Sequence, residues 1–201
     1  MKSQNEYIGD DKFKKMLEHY HCPTPLHVVK MRISGAICSP NMGLRPTDVI
    51  SSFWPQGKTP RLETKPEAEL FFKFFMGLWD EMFHKIKLNE IKLLIIPTTD
   101  KDALKVYCRN RYEEVESGYI EGFWGGQEDL KLPRYMAEVI DSLSDLAEAY
   151  NKIASQIEAS KNLDNIKSAL HNTDKMVEKA ISFIIENSVL PRIEDIKRSI
   201  N

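Results

Sequence analysis

Hydrophobic residues recur every three or four positions along most of the chain, the spacing of one face of an α-helix. In the N-terminal half this pattern predicts a short helix that Pro23 ends, then a second helix with Leu26, Val29 and Ile33 facing inward. Thr24 followed by Pro25 predicts a threonine hydroxyl that caps the second helix, with proline at its first position. On the flank of that helix, the small pair Ser34-Gly35 predicts a closely approaching neighbour. The fold class that follows is all-α and multihelical.

A long aromatic-rich helix is predicted from Pro66 to Ile86. Six aromatic residues lie between Phe71 and Phe83, and they fit either an aromatic ligand pocket or a central core helix. We favour the core, because buried aromatic side chains dominate ordinary protein interiors. The run from Glu90 to Pro97 resembles a strand but has no visible partner strand, so an extended connector is predicted there. Asp100 is predicted to cap the next helix, which runs to about Gly118 or beyond.

The last third of the chain carries two seams with alternating spacings of three and four. Such seams are typical of antiparallel bundle helices that form a hairpin, or of a coiled-coil dimer, and both interpretations stay open here. A turn is predicted at Ser160 to Asn162. Pro191 is predicted to end the second helix and to begin a final short helix with Ile193, Ile196 and Ile200. The predicted units are residues 1–130, an N-terminal helical subdomain, and 131–201, a helical hairpin packed on it. The seam residues are Met136, Val139, Leu143, Leu146, Tyr150, Ile153 and Ile157, then Leu163, Ile166, Leu170, Thr173, Val177, Ala180 and Ile184.

Charge and cysteine content narrow the classes of partner. The 201 residues include 28 Lys and Arg against 30 Asp and Glu, a formal net charge of -2. Without a basic surplus, we expect neither nucleic acid nor an anionic membrane as a partner. The three cysteines form no CxxC pair, and the first residues contain no apolar signal region. The longest apolar run is far shorter than the ~20 residues of a membrane span. These features predict a cytoplasmic protein.

Acidic pairs provide the main alternative chemistry. Glu113 with Glu116, and Glu138 with Asp141, are spaced i, i+3 on two predicted helices. If they faced each other they would hold Mg²⁺, as in all-α nucleotide pyrophosphatases of the MazG type. We prefer solvated helix faces, because acidic pairs of this spacing are common there.

Two other groups lack the partners that their chemistry requires. His19, His21 and Cys22 crowd one helix end, but no second Cys/His pair completes a zinc site. The glycines between Gly118 and Gly126 form neither a GxGxxG motif nor a P-loop. We therefore predict no cofactor and no catalytic residue.

Three short segments occur in an order that is informative. Ser34-Gly35 is followed by two apolar residues and Cys38, and then come a proline loop and a short helix that ends near Trp54. Tyr119 to Gly126 reads aromatic-x-x-Gly-Phe-x-x-Gly. Together these segments resemble the YecA/YgfB-like family of bacterial proteins over roughly Phe13 to Ile153. The matching motif positions are Ser34, Gly35, Cys38, Pro40, Pro46, Trp54, Tyr119, Gly122, Phe123 and Gly126.

The chain departs from the family pattern at several positions. Lys30-Met31 stands where the family commonly has His-Gly, and Tyr119 stands where it usually has Trp. The chain also lacks the Cys/His zinc tail of some members.

The resemblance implies one domain of two helical subdomains, one of them an up-and-down four-helix bundle. It implies no established enzymatic activity, and characterised relatives are regulatory or protein-interaction factors. We expect a non-enzymatic protein that binds a protein partner through a helical groove or the C-terminal hairpin. The alternatives are the metal-dependent nucleotide hydrolase and a homodimeric scaffold joined through one of the seams.

Overall fold

The computed structural model describes residues 6–55, 58–93, 100–127 and 130–200, and in these ranges the fold is all-α and multihelical. Two stretches have π-helical hydrogen bonding, Glu114–Ile120 (π1) and Ile185–Val189 (π2). The helices are α1 (Asp10–His19), α2 (Leu26–Cys38), α3 (Pro46–Ser51), α4 (Lys65–Lys87), α5 (Lys101–Glu113), α6 (Glu121–Trp124), α7 (Arg134–Gln156), α8 (Leu163–Ile184) and α9 (Leu190–Ile200). Of the predicted extended connector, residues 90–93 are described and run without a strand, and residues 94–97 lie outside the described ranges.

The start of α2 differs from the prediction. Pro25 occupies the cap position with extended backbone, and the helix begins at Leu26. The Thr24 hydroxyl does not cap the helix but donates to the carbonyl of Phe53 at 2.7 Å. The predicted threonine cap is therefore wrong. A hydrogen bond to a distant loop replaced the local one, and it ties the start of α2 to the segment after α3.

The aromatic helix α4 is a core helix on one face. Phe71 and Phe75 are buried and their ring centroids lie 4.9 Å apart. Phe75 also packs edge-on against Phe13 of α1 at 5.2 Å and stacks on Phe53 at 5.8 Å. Phe72 and Phe83 are 38% and 39% exposed, so the aromatic stripe is wider than the buried face. The prediction of a core helix is confirmed for the face that meets α1 and the segment after α3.

Helix α2 crosses the continuous run α5–π1–α6 at closer than usual range. A Cβ atom added to Gly35 would lie 2.0 Å from the Tyr119 carbonyl oxygen, and one added to Gly122 would lie 2.1 Å from that of Arg32. Real Cβ atoms do not approach backbone so closely, so only glycine fits at either position. This confirms the predicted close approach at Ser34-Gly35. The crossing fixes how the N-terminal helices meet the central run.

The two C-terminal seams face each other and the rest of the same chain. Helix α7 packs against both α5 and α8, and Leu143, Tyr150, Val177 and Ile184 are fully buried. Asn162 caps α8 by accepting from the amide of Asp164 at 2.9 Å, so the chain turns where predicted. Within the chain, α7 and α8 therefore pack as a helical hairpin. Nine of the fourteen seam residues are already buried within the chain, so a dimer through the same seams would compete with this hairpin for them.

Pro191 does not end the last long helix. Helix α8 continues through π2 into α9, and Pro191 is the second residue of α9. Proline lacks the amide that an α-helix uses at this position, and the π-helical turn just before it accommodates that loss. Arg192 then donates to the carbonyls of Ser39 at 2.6 Å and Cys38 at 3.1 Å, at the end of α2. The predicted stop is wrong, and the hydrogen bonds of Arg192 hold the continuous helix at the end of α2.

Within the described ranges, none of the helices combines the length and hydrophobicity that a membrane crossing requires.

Candidate functional site

A groove of about 750 Å³ opens where α2, α3, π1, α6 and α7 meet. We call it the Trp124 groove, because the half-buried Trp124 of α6 is its largest side chain. Its charged lining residues are Arg32, Asp48, Glu116, Glu121 and Asp141. Its apolar lining residues are Leu44, Val49, Ile120, Trp124 and Ile140. A cavity of this size is within the range that binds small molecules or several side chains of a peptide.

Two glycines shape the rim of the groove. Gly125 ends α6 in the left-handed conformation with φ 56°, and Gly126 follows with φ 76°. A Cβ atom on Gly125 would lie 2.7 Å from Leu44 Cδ2. The absent side chain therefore lets Leu44 lie against this turn and close one end of the groove. Around Gly126 there is open space within 4 Å of an added Cβ atom, so this residue borders the opening.

Arg32 holds three elements together at one wall of the groove. Its guanidinium donates to the Ser117 carbonyl at 2.9 and 2.6 Å and to the Ser52 carbonyl at 2.9 Å, and it also pairs with Glu121. Its side chain is 11% exposed. Burial lowers the pKa of Arg32, and the Glu121 carboxylate opposes that shift. The arginine charge is thus used within the protein, to join α2 with π1, α6 and the end of α3.

The carboxylates of the groove differ in their partners. Asp48 pairs with Arg45 at 3.0 Å, and Glu121 pairs with Arg32. Glu116 is half-buried and accepts from the Ser144 hydroxyl at 2.9 Å, and Asp141 is exposed on α7. In the described part of the chain, neither Glu116 nor Asp141 forms an ion pair. The groove therefore keeps two carboxylates that no side chain of the described residues neutralises.

The four carboxylates of the alternative metal site do not converge. Glu113 faces His27 at 3.5 Å, and Glu138 accepts from Arg134 at 2.8 Å on the surface of α7. Only Glu116 and Asp141 reach the same groove. In residues 6–55, 58–93, 100–127 and 130–200, no group of three or more His, Cys, Asp or Glu side chains is arranged to hold a metal ion. The predicted i, i+3 pairs share a helix but are directed to different surroundings.

The positions that carry the family resemblance take part mainly in packing. The Cys38 thiol lies beside the buried Tyr119 hydroxyl, and burial raises the pKa of that thiol to about 12. Trp54 donates its indole N–H to the Tyr20 carbonyl at 3.0 Å. Pro46 is the first residue of α3, and Phe123 is fully buried. The motifs thus describe the α2–π1 crossing and its surroundings, and Gly122 and Gly126 also line the groove.

A buried polar network joins α5, α7 and α8, and sequence analysis missed it. Arg111 is fully buried, pairs with Glu114 and reaches Asp174 with Nε at 3.2 Å. Asp174 also accepts from the Tyr107 hydroxyl and from the Tyr150 hydroxyl, the latter at 2.7 Å. Burial opposes the charge on Arg111, but the two carboxylates outweigh it and raise the pKa of the guanidinium. The sequence does contain a signal for this burial, because the helical spacing between Leu104 and Arg111 places both residues on one face of α5.

This network predicts that alkaline pH destabilises the protein. Burial and the hydrogen bond to Asp174 raise the pKa of Tyr107 to about 12, and burial and Asp174 also raise that of Tyr150. A tyrosine whose pKa is higher in the folded than in the unfolded protein stabilises the folded state. This stabilisation is complete below the unfolded pKa of ~10, and it is lost as the pH rises through the folded pKa. We expect the free energy of unfolding, measured by urea titration, to fall as pH is raised above ~10. Tyr150→Phe should flatten this dependence, whereas the exposed Tyr135→Phe should not. An equal dependence in both variants would contradict the assignment.

Two other cavities open in the described part of the chain. One of about 810 Å³ lies between α1, α2, the end of α4 and α5, and one of about 550 Å³ lies beside Trp54 and Tyr20. In the larger one, Lys30 pairs with Asp10 at 2.7 Å and Lys92 with Glu178 at 3.3 Å.

The fold and these cavities define an all-α multihelical protein with a groove at a helix crossing. Comparison of the chain with protein-family models, with curated proteins and with solved structures found no match.

Proposed function

We propose that this protein is a non-enzymatic interaction or regulatory factor whose Trp124 groove binds a segment of a partner protein. The observation that carries the proposal is the groove itself, about 750 Å³ with apolar walls and a half-buried tryptophan. Aromatic side chains in preformed clefts supply a large contact area at low entropic cost, which is typical of binding surfaces.

The chemistry of the lining favours binding over catalysis. Ser52 and Ser144 line the groove, and their hydroxyls donate to the Val49 carbonyl at 2.7 Å and to Glu116 at 2.9 Å. A serine nucleophile requires a base that is oriented by a third group, and the described lining residues include no histidine, lysine or cysteine. The resemblance to a family of regulatory and interaction factors points in the same direction.

A peptide-display selection on the purified protein tests the proposal. We expect the selection to enrich short peptides that bind the unchanged protein but not the Ser144→Trp variant. Ser144 lines the groove, so an indole at this position would fill it. Ser142→Trp is the matched control on the same helix, because Ser142 is exposed and outside the groove. It should leave peptide binding unchanged.

A second variant that blocks the groove distinguishes a blocked groove from a folding defect in Ser144→Trp. Asp141→Trp also fills the groove, but from an exposed position on α7. Circular dichroism should confirm that the variants keep their helical content. A selection that enriches no peptide, or peptides that bind folded Ser144→Trp and Asp141→Trp as well as the unchanged protein, would overturn the proposal.

A further inference from the structure

We infer that the Trp124 groove selects a partner segment that carries an arginine or lysine next to a large apolar residue. This inference rests on the proposed function and specifies the chemistry of the partner. Its basis is the combination of an apolar groove with two carboxylates that form no ion pair among the described residues.

The charges in the groove are unbalanced. Its described lining residues include four carboxylates and one guanidinium. Arg32 is held by Glu121 and by the carbonyls of Ser117 and Ser52, and Asp48 is paired with Arg45. Glu116 and Asp141 remain, and they belong to different elements, π1 and α7, that pack against each other. A cationic side chain in the groove would neutralise them, whereas an acidic one would be repelled.

The position of Glu116 makes this selection effective. Its carboxylate is half-buried beside Ser144. The attraction between this carboxylate and a cationic side chain of the partner would therefore be screened less by solvent than on an open surface. The Ser144 hydroxyl holds the carboxylate in place, and this limits the entropy lost on binding. Asp141 is exposed at the opening and would attract the cation before contact.

The apolar lining specifies the second half of the segment. Val49, Ile120 and Ile140 are buried behind the walls, and the half-buried Leu44 and Trp124 present apolar surface at the groove. An apolar side chain of the partner would displace water from Leu44 and Trp124. The aliphatic stem of arginine or lysine also packs on apolar surface, and its cation is attracted to the face of tryptophan. A free polyamine offers the charge without a large apolar group, so a peptide segment fits the lining better.

The test uses three short peptide libraries that differ only in a fixed central pair, namely Leu-Arg, Leu-Glu or Ser-Arg, with all other positions random. We expect the Leu-Arg library to be retained on the immobilised protein about tenfold more than either of the others. Retention should decrease as salt is raised, because the recognition includes ion pairs.

A pair of charge variants assigns the recognition to the groove. Glu116→Gln combined with Asp141→Asn should reduce retention of the Leu-Arg library by about tenfold. Asp145→Asn combined with Glu148→Gln makes the same change in net charge at exposed positions of α7 outside the groove. This control should retain the library as the unchanged protein does.

The outcomes separate this inference from the proposed function. If the Leu-Glu or Ser-Arg library is retained equally, and Ser144→Trp abolishes that retention, the groove binds peptides but the inference is wrong. Displacement of the Leu-Arg library by spermidine at similar concentration would also overturn it, in favour of a polyamine site. If no library is retained and display selection also fails, the proposed function fails with it.

Discussion

Gly122→Ala is expected to lower the free energy of unfolding by about 3 kcal/mol or more, a large effect for the addition of one methyl group. The added Cβ would lie 2.1 Å from the carbonyl oxygen, 2.8 Å from the carbonyl carbon and 2.9 Å from the Cα of Arg32. All three atoms are backbone, so they cannot move aside by changing a rotamer. Helices α2 and α6 would have to separate, and that would disturb the packing around the fully buried Phe123 and Tyr119.

The sign of this effect distinguishes the crossing from ordinary helix propensity. In an exposed helix, replacing glycine with alanine stabilises by ~1 kcal/mol. Ser117→Ala in π1 is the control, because Ser117 contributes its carbonyl to the Arg32 contact and keeps that carbonyl in the variant. We expect it to change stability by less than ~0.5 kcal/mol.

A double variant tests whether the two glycines serve one contact. Gly35→Ala should cost about as much as Gly122→Ala, because its Cβ would lie 2.0 Å from the Tyr119 carbonyl oxygen. Once either variant has separated the two helices, the second methyl group meets less resistance, so Gly35→Ala/Gly122→Ala should cost less than the sum. Urea unfolding followed by circular dichroism measures all four proteins. A stabilising Gly122→Ala, or strict additivity, would contradict the described crossing.

Arg111→Met is expected to destabilise the protein by ~3–5 kcal/mol. The change removes the cation that Glu114 and Asp174 share, while Glu114 stays 4% exposed. A buried carboxylate without a counter-ion is costly, because its lost hydration is no longer compensated. The exposed pair Arg134–Glu138 on α7 supplies the matched control, and Arg134→Met should change the free energy of unfolding by less than ~1 kcal/mol.

A compensating variant shows whether the cost arises from the stranded charge. Arg111→Met/Glu114→Met removes one positive and one negative charge, and Asp174 keeps the hydroxyls of Tyr107 and Tyr150. We expect the double variant to recover much of the stability lost in Arg111→Met, since apolar replacement of a buried pair is often nearly neutral. If the double variant is less stable than Arg111→Met alone, the network contributes more than the paired charge.

Much of the fold follows from local patterns in the sequence. Asp100 caps α5 by accepting from the amide of Ala103 at 2.8 Å, and Asn162 begins α8 where a turn was predicted. These caps involve neighbours in sequence, so the relevant residues can be recognised without the fold. Local preference fails at Thr24 and at Pro191. The Thr24 hydroxyl bonds to the distant Phe53 carbonyl, and the helix that continues through Pro191 is held at the end of α2 by Arg192.

The candidate site was predictable only in fragments. Glu116 and Asp141 were singled out as acidic groups, but with partners Glu113 and Glu138, which the structure directs to His27 and Arg134. Gly122 and Gly126 were recognised in a glycine motif, and they line the Trp124 groove. Arg32 was not recognised, because its role depends on the Ser52 and Ser117 carbonyls. Contacts between residues that are far apart in sequence leave no periodic signal.

The sequence by itself determined the all-α class, the core face of α4, the close approach at Gly35 and the C-terminal seams, because helical periodicity and steric limits act over a few residues. Tertiary structure decided which carboxylates share a groove, where Arg111 is buried and whether the seams face each other or a second chain. The groove depends on the crossing of α2 with π1 and α6, which brings together residues about 85 positions apart, such as Arg32 and Ser117. The burial of Arg111 and the facing of the seams depend on the packing of α7 against α5 and α8. No local rule specifies such a juxtaposition, because it is set by how whole helices pack.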